Sequence, residues 1–118
     1  MEGLPNGINA IVDPRKLSDY VLDPNHRTGR HKARVFASAL GLTAADAGDL
    51  ANALAQAAAT ENAEFSRNDI YGAHYTVEFT MTFKGRAARI KSLWIIRAHE
   101  DVPRLITAFV ARQDQEDA

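Results

Sequence analysis

The stretch DPNHRTGRHKAR, residues 23–34, holds His26, Arg27, Arg30, His31, Lys32 and Arg34, with no acid from His26 onward. These are the parts needed to cut RNA without a metal. A base must take the 2′-hydroxyl proton, an acid must protonate the leaving oxygen, and fixed cations must meet the charge that grows on the phosphate. An imidazole, with an unperturbed pKa of about 6.5, exchanges protons near neutrality, so His26 and His31 are the candidates for proton transfer. Lys32, Arg30 and Arg34 would supply charge and bidentate phosphate contacts, and N–H groups opening a following helix would add anion affinity. The plainer alternative is a solvated loop with a cationic face. If the helix already includes His31, its ring projects opposite the stripe Ala33, Phe36 and Leu40, which makes it a surface or site residue and not a core one.

Other chemistries find less support. There is no cysteine, so thiolate nucleophiles, disulfides and sulfur-ligated metals are excluded. His26, His31, His74 and His99 show no i, i+4 pair and have no carboxylate cluster beside them, so no metal and no cofactor is expected. Neither a G-x-S-x-G elbow nor a phosphate-loop signature occurs.

With 118 residues, 46% apolar and 25% charged, the chain is expected to be one domain with one core, ordered over about residues 4–111 and ending in an acidic tail, 112–118. The formal net charge is −1, so any anion site must be local. No stretch approaches the roughly 20 apolar residues of a membrane span. The start, MEGLPNGINA, has neither the basic head nor the apolar run of a signal peptide, and a cytoplasmic location is expected.

The elements that would position these residues follow from periodicity. Asp13-Pro14 suits an N-cap and first helical position, with Pro24 as the stop, which predicts a short helix over about 14–21. Ala33, Phe36, Ala37 and Leu40, closed by Gly41, predict a second. Thr43 and Asp46 form a capping box before the stripe Ala47, Leu50, Ala51, Leu54 and Ala58, a third helix ending near Thr60. The period then falls to two. Tyr75, Val77, Phe79, Met81 and Phe83 alternate with polar residues, and a Lys84-Gly85 turn pairs Phe79 with Ile90, Tyr75 with Trp94 and Glu78 with Lys91. A weaker strand in AEFSRND and a last one in RLITAFV complete the set.

The expected fold is thus α+β, with about three N-terminal helices on one face of an antiparallel sheet of about four strands. The other face is expected to be open and lined by His74, Thr76, Glu78, Thr80, Arg89 and Lys91. Trp94 is expected in the core. Tyr71 is most simply a turn residue, although it lies where the sheet opens and could stack on a base. Arg104 is most simply a charge on an edge strand, and Thr107 an ordinary β-branched strand residue.

Taken together, VDPRKLSDYVLDPNHRTGRHKARVF, YGAHYTVEF and SLWIIRAHEDVPRLITAF resemble a bacterial family of small domains found free-standing and as the C-terminal modules of polymorphic toxins and phage-head proteins. The resemblance runs from about Leu4 to Val110. That family in turn resembles the barnase, EndoU, colicin and RelE (BECR) group of metal-independent ribonucleases, whose layout of helices followed by a sheet agrees with the one above. The resemblance implies that His26 and Lys32 are the leading catalytic residues, with His31 beside them, and that Arg104 and Thr107 orient the phosphate. Two positions depart from the pattern. Arg27 follows His26 where a proline is more typical, and Phe109 stands where a tyrosine is expected.

The expected function is a toxin-like endoribonuclease acting by 2′-oxygen attack. His26, His31, Lys32, Arg104 and Thr107 would form its catalytic group, and Arg30, Arg34, Tyr71, His74 and Arg89 would contact RNA. A small cognate antitoxin protein covering the open sheet face is the expected partner. The rival is a non-catalytic protein-binding module on the same scaffold, one half of a two-protein operon pair, which the near-neutral charge favours. A DNA-binding role for the basic helix lacks helix-turn-helix spacing.

Overall fold

A computed structural model describes residues 3–111; the acidic tail, 112–118, lies outside the described residues. The Asp13 carboxylate accepts a hydrogen bond from the Arg15 N–H at 3.0 Å and caps helix α1, Pro14–Lys16. This helix runs on as a π-helical turn, Leu17–Val21, in which the Leu22 N–H reaches back five residues to the Leu17 carbonyl at 2.8 Å. Helix α2, Arg30–Leu40, buries Ala33, Phe36 and Leu40 and ends on Gly41 at φ 74°. The Thr43–Asp46 capping box opens a 3₁₀ turn, Ala44–Asp46, that leads into helix α3, Ala47–Thr60.

Strands β1 (Ala63–Asp69), β2 (Gly72–Phe83), β3 (Arg86–Arg97) and β4 (Arg104–Val110) form an antiparallel meander in chain order. The β2–β3 register is the one the alternation predicts, with Tyr75 opposite Trp94, Glu78 opposite Lys91 and Phe79 opposite Ile90. Helix α2 packs on β3 and β4, and α3 on β2. The fold is therefore α+β, with three helices preceding and covering a four-stranded sheet. Among the described residues no helix is long and apolar enough to cross a membrane.

Trp94, wholly buried, sits at the centre. Its indole N–H donates to Ser92 Oγ at 2.9 Å, and the Ser92 hydroxyl donates to the Val77 carbonyl at 2.7 Å. Ser92 is thus a buried polar residue that satisfies an aromatic donor inside an apolar core.

Two features differ from the sequence-based expectation. The outer edge of β4 is covered at its start, where the Ile11 N–H donates to the Pro103 carbonyl at 2.8 Å and the Leu105 N–H donates to the Ile11 carbonyl at 3.0 Å. Arg104 therefore lies between two backbone segments and is not a bare edge charge. The face away from the helices is also less polar than expected. Because Ser92 and Trp94 point into the core, strand alternation sends Leu93 and Ile95 to the other face, opposite Thr76 and His74.

Replacing Ser92 by alanine leaves the Trp94 N–H buried without its acceptor. Ser92→Ala is expected to lower the unfolding free energy by about 1–3 kcal/mol, and Trp94→Phe in the same background to cost less than it does alone. Urea unfolding of both single variants and the double variant, followed by circular dichroism, measures that coupling.

Candidate functional site

The loop between α1 and α2 is built on one close approach. A Cβ at Gly29 would lie 2.1 Å from the Tyr20 carbonyl oxygen and 2.8 Å from its ring Cδ1, so only glycine lets the entry of α2 rest on Tyr20. His26 closes the same loop. Its Nδ1 accepts backbone N–H bonds from Thr28 at 3.0 Å and Gly29 at 2.9 Å, and its carbonyl accepts from the Arg30 N–H at 3.1 Å. The imidazole thus does for α2 what Ser or Asp does at an ordinary N-terminus. A nitrogen that accepts two N–H bonds carries no proton. In this arrangement Nε2 holds the ring hydrogen and is the only ring nitrogen left to meet a ligand. The ring also packs edge-on against Tyr20, with centroids 4.8 Å apart.

Tyr20 gathers the other groups. The Lys32 ammonium donates to its hydroxyl at 3.2 Å. The hydroxyls of Thr107 on β4 and Thr28 in the loop lie beside the same phenol. Burial pushes the Tyr20 pKa up, but the Lys32 hydrogen bond and charge, with the neighbouring Thr107 and Thr28 hydroxyls, outweigh it and hold the phenol below its ordinary value. The Thr107 hydroxyl oxygen is buried and, although it neighbours the phenol, completes no well-aligned hydrogen bond among the described residues. On the next exposed turn, His31 and Lys32 open onto a hollow of about 350 Å³ walled by Val35, Phe109 and Val110.

Three other sequence candidates meet in a neighbouring groove. Tyr71, His74 and Arg104 line a cavity of about 600 Å³ together with Lys16, Arg67 and Arg97. Arg104 is held by Glu100 through contacts of 3.0 and 3.4 Å, and this guanidinium, more than partial burial opposes it, keeps the Glu100 carboxyl below its usual range. Asp69 sits 3.1 Å from His74 Nε2 and 3.3 Å from Arg67 Nε. The histidine N–H is not aimed along the Asp69 contact, so proximity and not a formed hydrogen bond joins them. Burial raises the Asp69 pKa, but the Tyr71 N–H, His74 and Arg67 together bring it below the usual carboxylate value.

The remaining candidates lie elsewhere. Arg30 and Arg34 share a face of α2 over a separate hollow bordered by Leu22, Pro24 and Leu42, and Arg30 folds back onto the Arg27 carbonyl at 2.7 Å. Arg89 reaches across the sheet to the Thr80 hydroxyl at 3.1 Å, toward the opposite end of β2 from His74. Among the described residues no three His, Asp or Glu side chains gather closely enough to hold a metal ion.

The sequence reading brought His26, Lys32 and Thr107 forward and missed the residue that joins them. Tyr20 looks like one more residue of a short helix. The signal that could have found it was the Gly29 that faces it, together with a helix too short to bury a tyrosine on its own.

Two outcomes follow. Gly29→Ala is expected to destabilise the fold by about 1–3 kcal/mol, since a buried clash has to be relieved. His26→Ala should cost about 1 kcal/mol and His26→Asn much less, because an asparagine oxygen can accept the same N–H bonds. Thermal unfolding ranks the three. The Tyr20 phenol is expected to ionise at lower pH in the folded than in the unfolded chain. Its contribution to stability is therefore nil at neutrality, grows as pH rises through its folded pKa, and is complete above the unfolded value. Absorbance titration of wild type and Lys32→Met, with the variant moving Tyr20 upward, checks this.

The family described as a domain of unknown function, DUF6883, matches residues 3–112. No curated protein matches the chain. Among solved structures, a chain of a contact-dependent growth inhibition toxin–immunity protein complex from Klebsiella pneumoniae 342 is similar, with a TM-score of 0.66 over 91% of this chain and 98% of that one, at 18% identity. At that identity the likeness is one of fold. Since the match runs almost from end to end of the described residues, the chain belongs to the DUF6883 family.

Proposed function

We propose that this domain is a toxin-like endoribonuclease that cleaves RNA without a metal ion and works beside a small protein that neutralises it. The observation that carries the reading is the Tyr20 phenol, held at 3.2 Å by the Lys32 ammonium with the His26 ring and the Thr28 and Thr107 hydroxyls around it. A phenol whose anion is stabilised by an adjacent cation is a better proton donor than a free one. In the mechanism proposed, His31 takes the proton of the 2′-hydroxyl and the 2′-oxygen attacks phosphorus. The bond to the 5′-oxygen breaks, and Tyr20 gives that oxygen its proton, leaving a cyclic phosphate and a free 5′-hydroxyl. Lys32 neutralises the charge that develops on the phosphate. Thr107 and the Nε2–H of His26 donate hydrogen bonds to its oxygens, and Arg104 acts from the adjoining groove. Fold likeness to a chain of a toxin–immunity complex supports the toxin setting and the expectation of a partner protein.

A second reading has one observation in its favour. His26 Nδ1 and the Arg104 guanidinium are both engaged in holding the fold together, as they would be in a non-catalytic module that binds its partner on the same scaffold.

The two separate in one assay. Purified protein with mixed RNA in chelator should yield fragments ending in cyclic phosphate. Lys32→Met and Tyr20→Phe should each slow the reaction by about a hundredfold. Intact RNA, or cleavage that ignores both substitutions, rejects the nuclease and leaves the binding module.

A further inference from the structure

We infer that the groove lined by Lys16, Arg67, Tyr71, His74, Arg97 and Arg104 holds single-stranded RNA, stacking a base on Tyr71 and carrying the backbone on Arg97, Arg67 and Lys16. This rests on the ribonuclease reading and identifies where the nucleotides flanking the scissile phosphate bind.

The groove is about 600 Å³. At its rim Tyr71 is 67% exposed, on a turn that has little freedom to yield. The Asp69 carboxylate accepts from the Tyr71 N–H at 2.9 Å and the Gly72 N–H at 3.2 Å, and the Ala98 N–H donates to the Tyr71 carbonyl at 3.0 Å. Gly72, at φ 145°, lies so near β3 that a Cβ would come within 2.1 Å of the Ile96 carbonyl oxygen. An exposed aromatic ring on a rigid turn loses little entropy on stacking and accepts any base, since every base has a π-face.

Charge agrees with this occupant. Four cations, Lys16, Arg67, Arg97 and Arg104, face two carboxylates, Asp69 and Glu100, an excess of two in a chain whose formal net charge is −1. Asp69 is taken up by the turn, His74 and Arg67, and Glu100 by Arg104. The Arg97 and Lys16 side chains make no direct ion pair among the described residues, although their charges act at longer range on Glu100 and Asp13. Arg97 is the cross-strand partner of Gly72, the residue after Tyr71, and both Arg97 and Tyr71 line the groove, where a guanidinium can stack on a base or bind phosphate. Ile95, opposite His74, gives the floor an apolar patch for the face of a base.

The groove also leads to the phenol. Lys16 precedes Tyr20 by four residues on one helical run, and Ile106, in the groove wall, precedes Thr107. Four helical residues rise only about 6 Å, a short separation between the Lys16 end of the groove and the phenol. An acidic protein surface would satisfy the cations but would not call for a fixed, exposed aromatic ring at the rim of the groove.

The test uses a short fluorescein-labelled 2′-O-methyl RNA, which has no free 2′-hydroxyl and cannot be cut, with anisotropy read at several salt concentrations. Binding is expected to weaken as salt rises. Tyr71→Ala and Arg97→Glu should each reduce affinity about tenfold, and Arg97→Glu should also flatten the salt dependence by about 0.7 for each phosphate that the variant no longer neutralises. Arg86→Ala, at the other end of β3 and roughly 35 Å away, should bind as wild type. No binding at low salt, or wild-type binding by both groove variants, overturns the inference. Groove-dependent binding without cleavage of ordinary RNA would reject the nuclease and leave this inference standing. Cleavage with unaltered binding by both variants would reject this inference alone.

Discussion

The contact of Gly29 with Tyr20 is the constraint on which the site depends. Where the α2 entry touches the π-helical turn there is no room for even a methyl group. That contact brings a loop rich in cations against the only tyrosine of the helical layer. Once it is made, His26 is placed to cap α2 and Lys32 to reach the phenol. The π turn belongs to the same arrangement. A bond spanning five residues widens the helix by one residue just at Tyr20, an irregularity often seen where a side chain is being presented for use.

Electrostatics are divided along similar lines. Whole-chain charge is almost balanced, and most of the acids in the described region that meet cations do so in local pairs: Asp13 with Arg15, Asp69 with Arg67 and His74, Glu100 with Arg104. Such exposed pairs contribute little to stability. Their effect is to set which cations stay uncommitted. Lys32 faces a phenol, and Arg97 and Lys16 face a groove. An anion approaching this surface meets positive charge at a few positions only, so a chain with nearly zero net charge can still contain an anion-binding region.

The sheet behind these sites is supported from inside by the Trp94–Ser92–Val77 relay and at the β4 edge by Ile11. Helices before a meander, and a likeness in fold to a chain of a toxin–immunity complex, describe a scaffold and not an activity. On this scaffold the polar atoms of β4 and the α2 entry come together at Tyr20. The Thr107 hydroxyl oxygen, like His74 Nε2, is left buried without a well-aligned partner among the described residues, whereas the Ser92 hydroxyl and the Trp94 N–H in the core are satisfied. A scaffold that needed only packing would be served equally well by valine there.

Sequence alone determined the elements and their pairing. The change of period after residue 63, the Thr43–Asp46 box, Gly41 and the Lys84-Gly85 turn are local signals, and the β2–β3 register follows from alternation counted outward from that turn. It also drew attention to His26, Lys32 and Thr107. Tertiary structure decided which candidates share a site. Arg30 and Arg34 turned to another face of α2, Arg104 entered a groove with Tyr71 and His74, and Tyr20 and Arg97, which no spacing singled out, became central. The physical reason is that periodicity records how a residue faces its own element, whereas a site depends on the distances between elements. Those distances are set by close contacts such as Gly29 on Tyr20 and Gly72 on Ile96, whose partners lie far apart along the chain or outside any regular repeat.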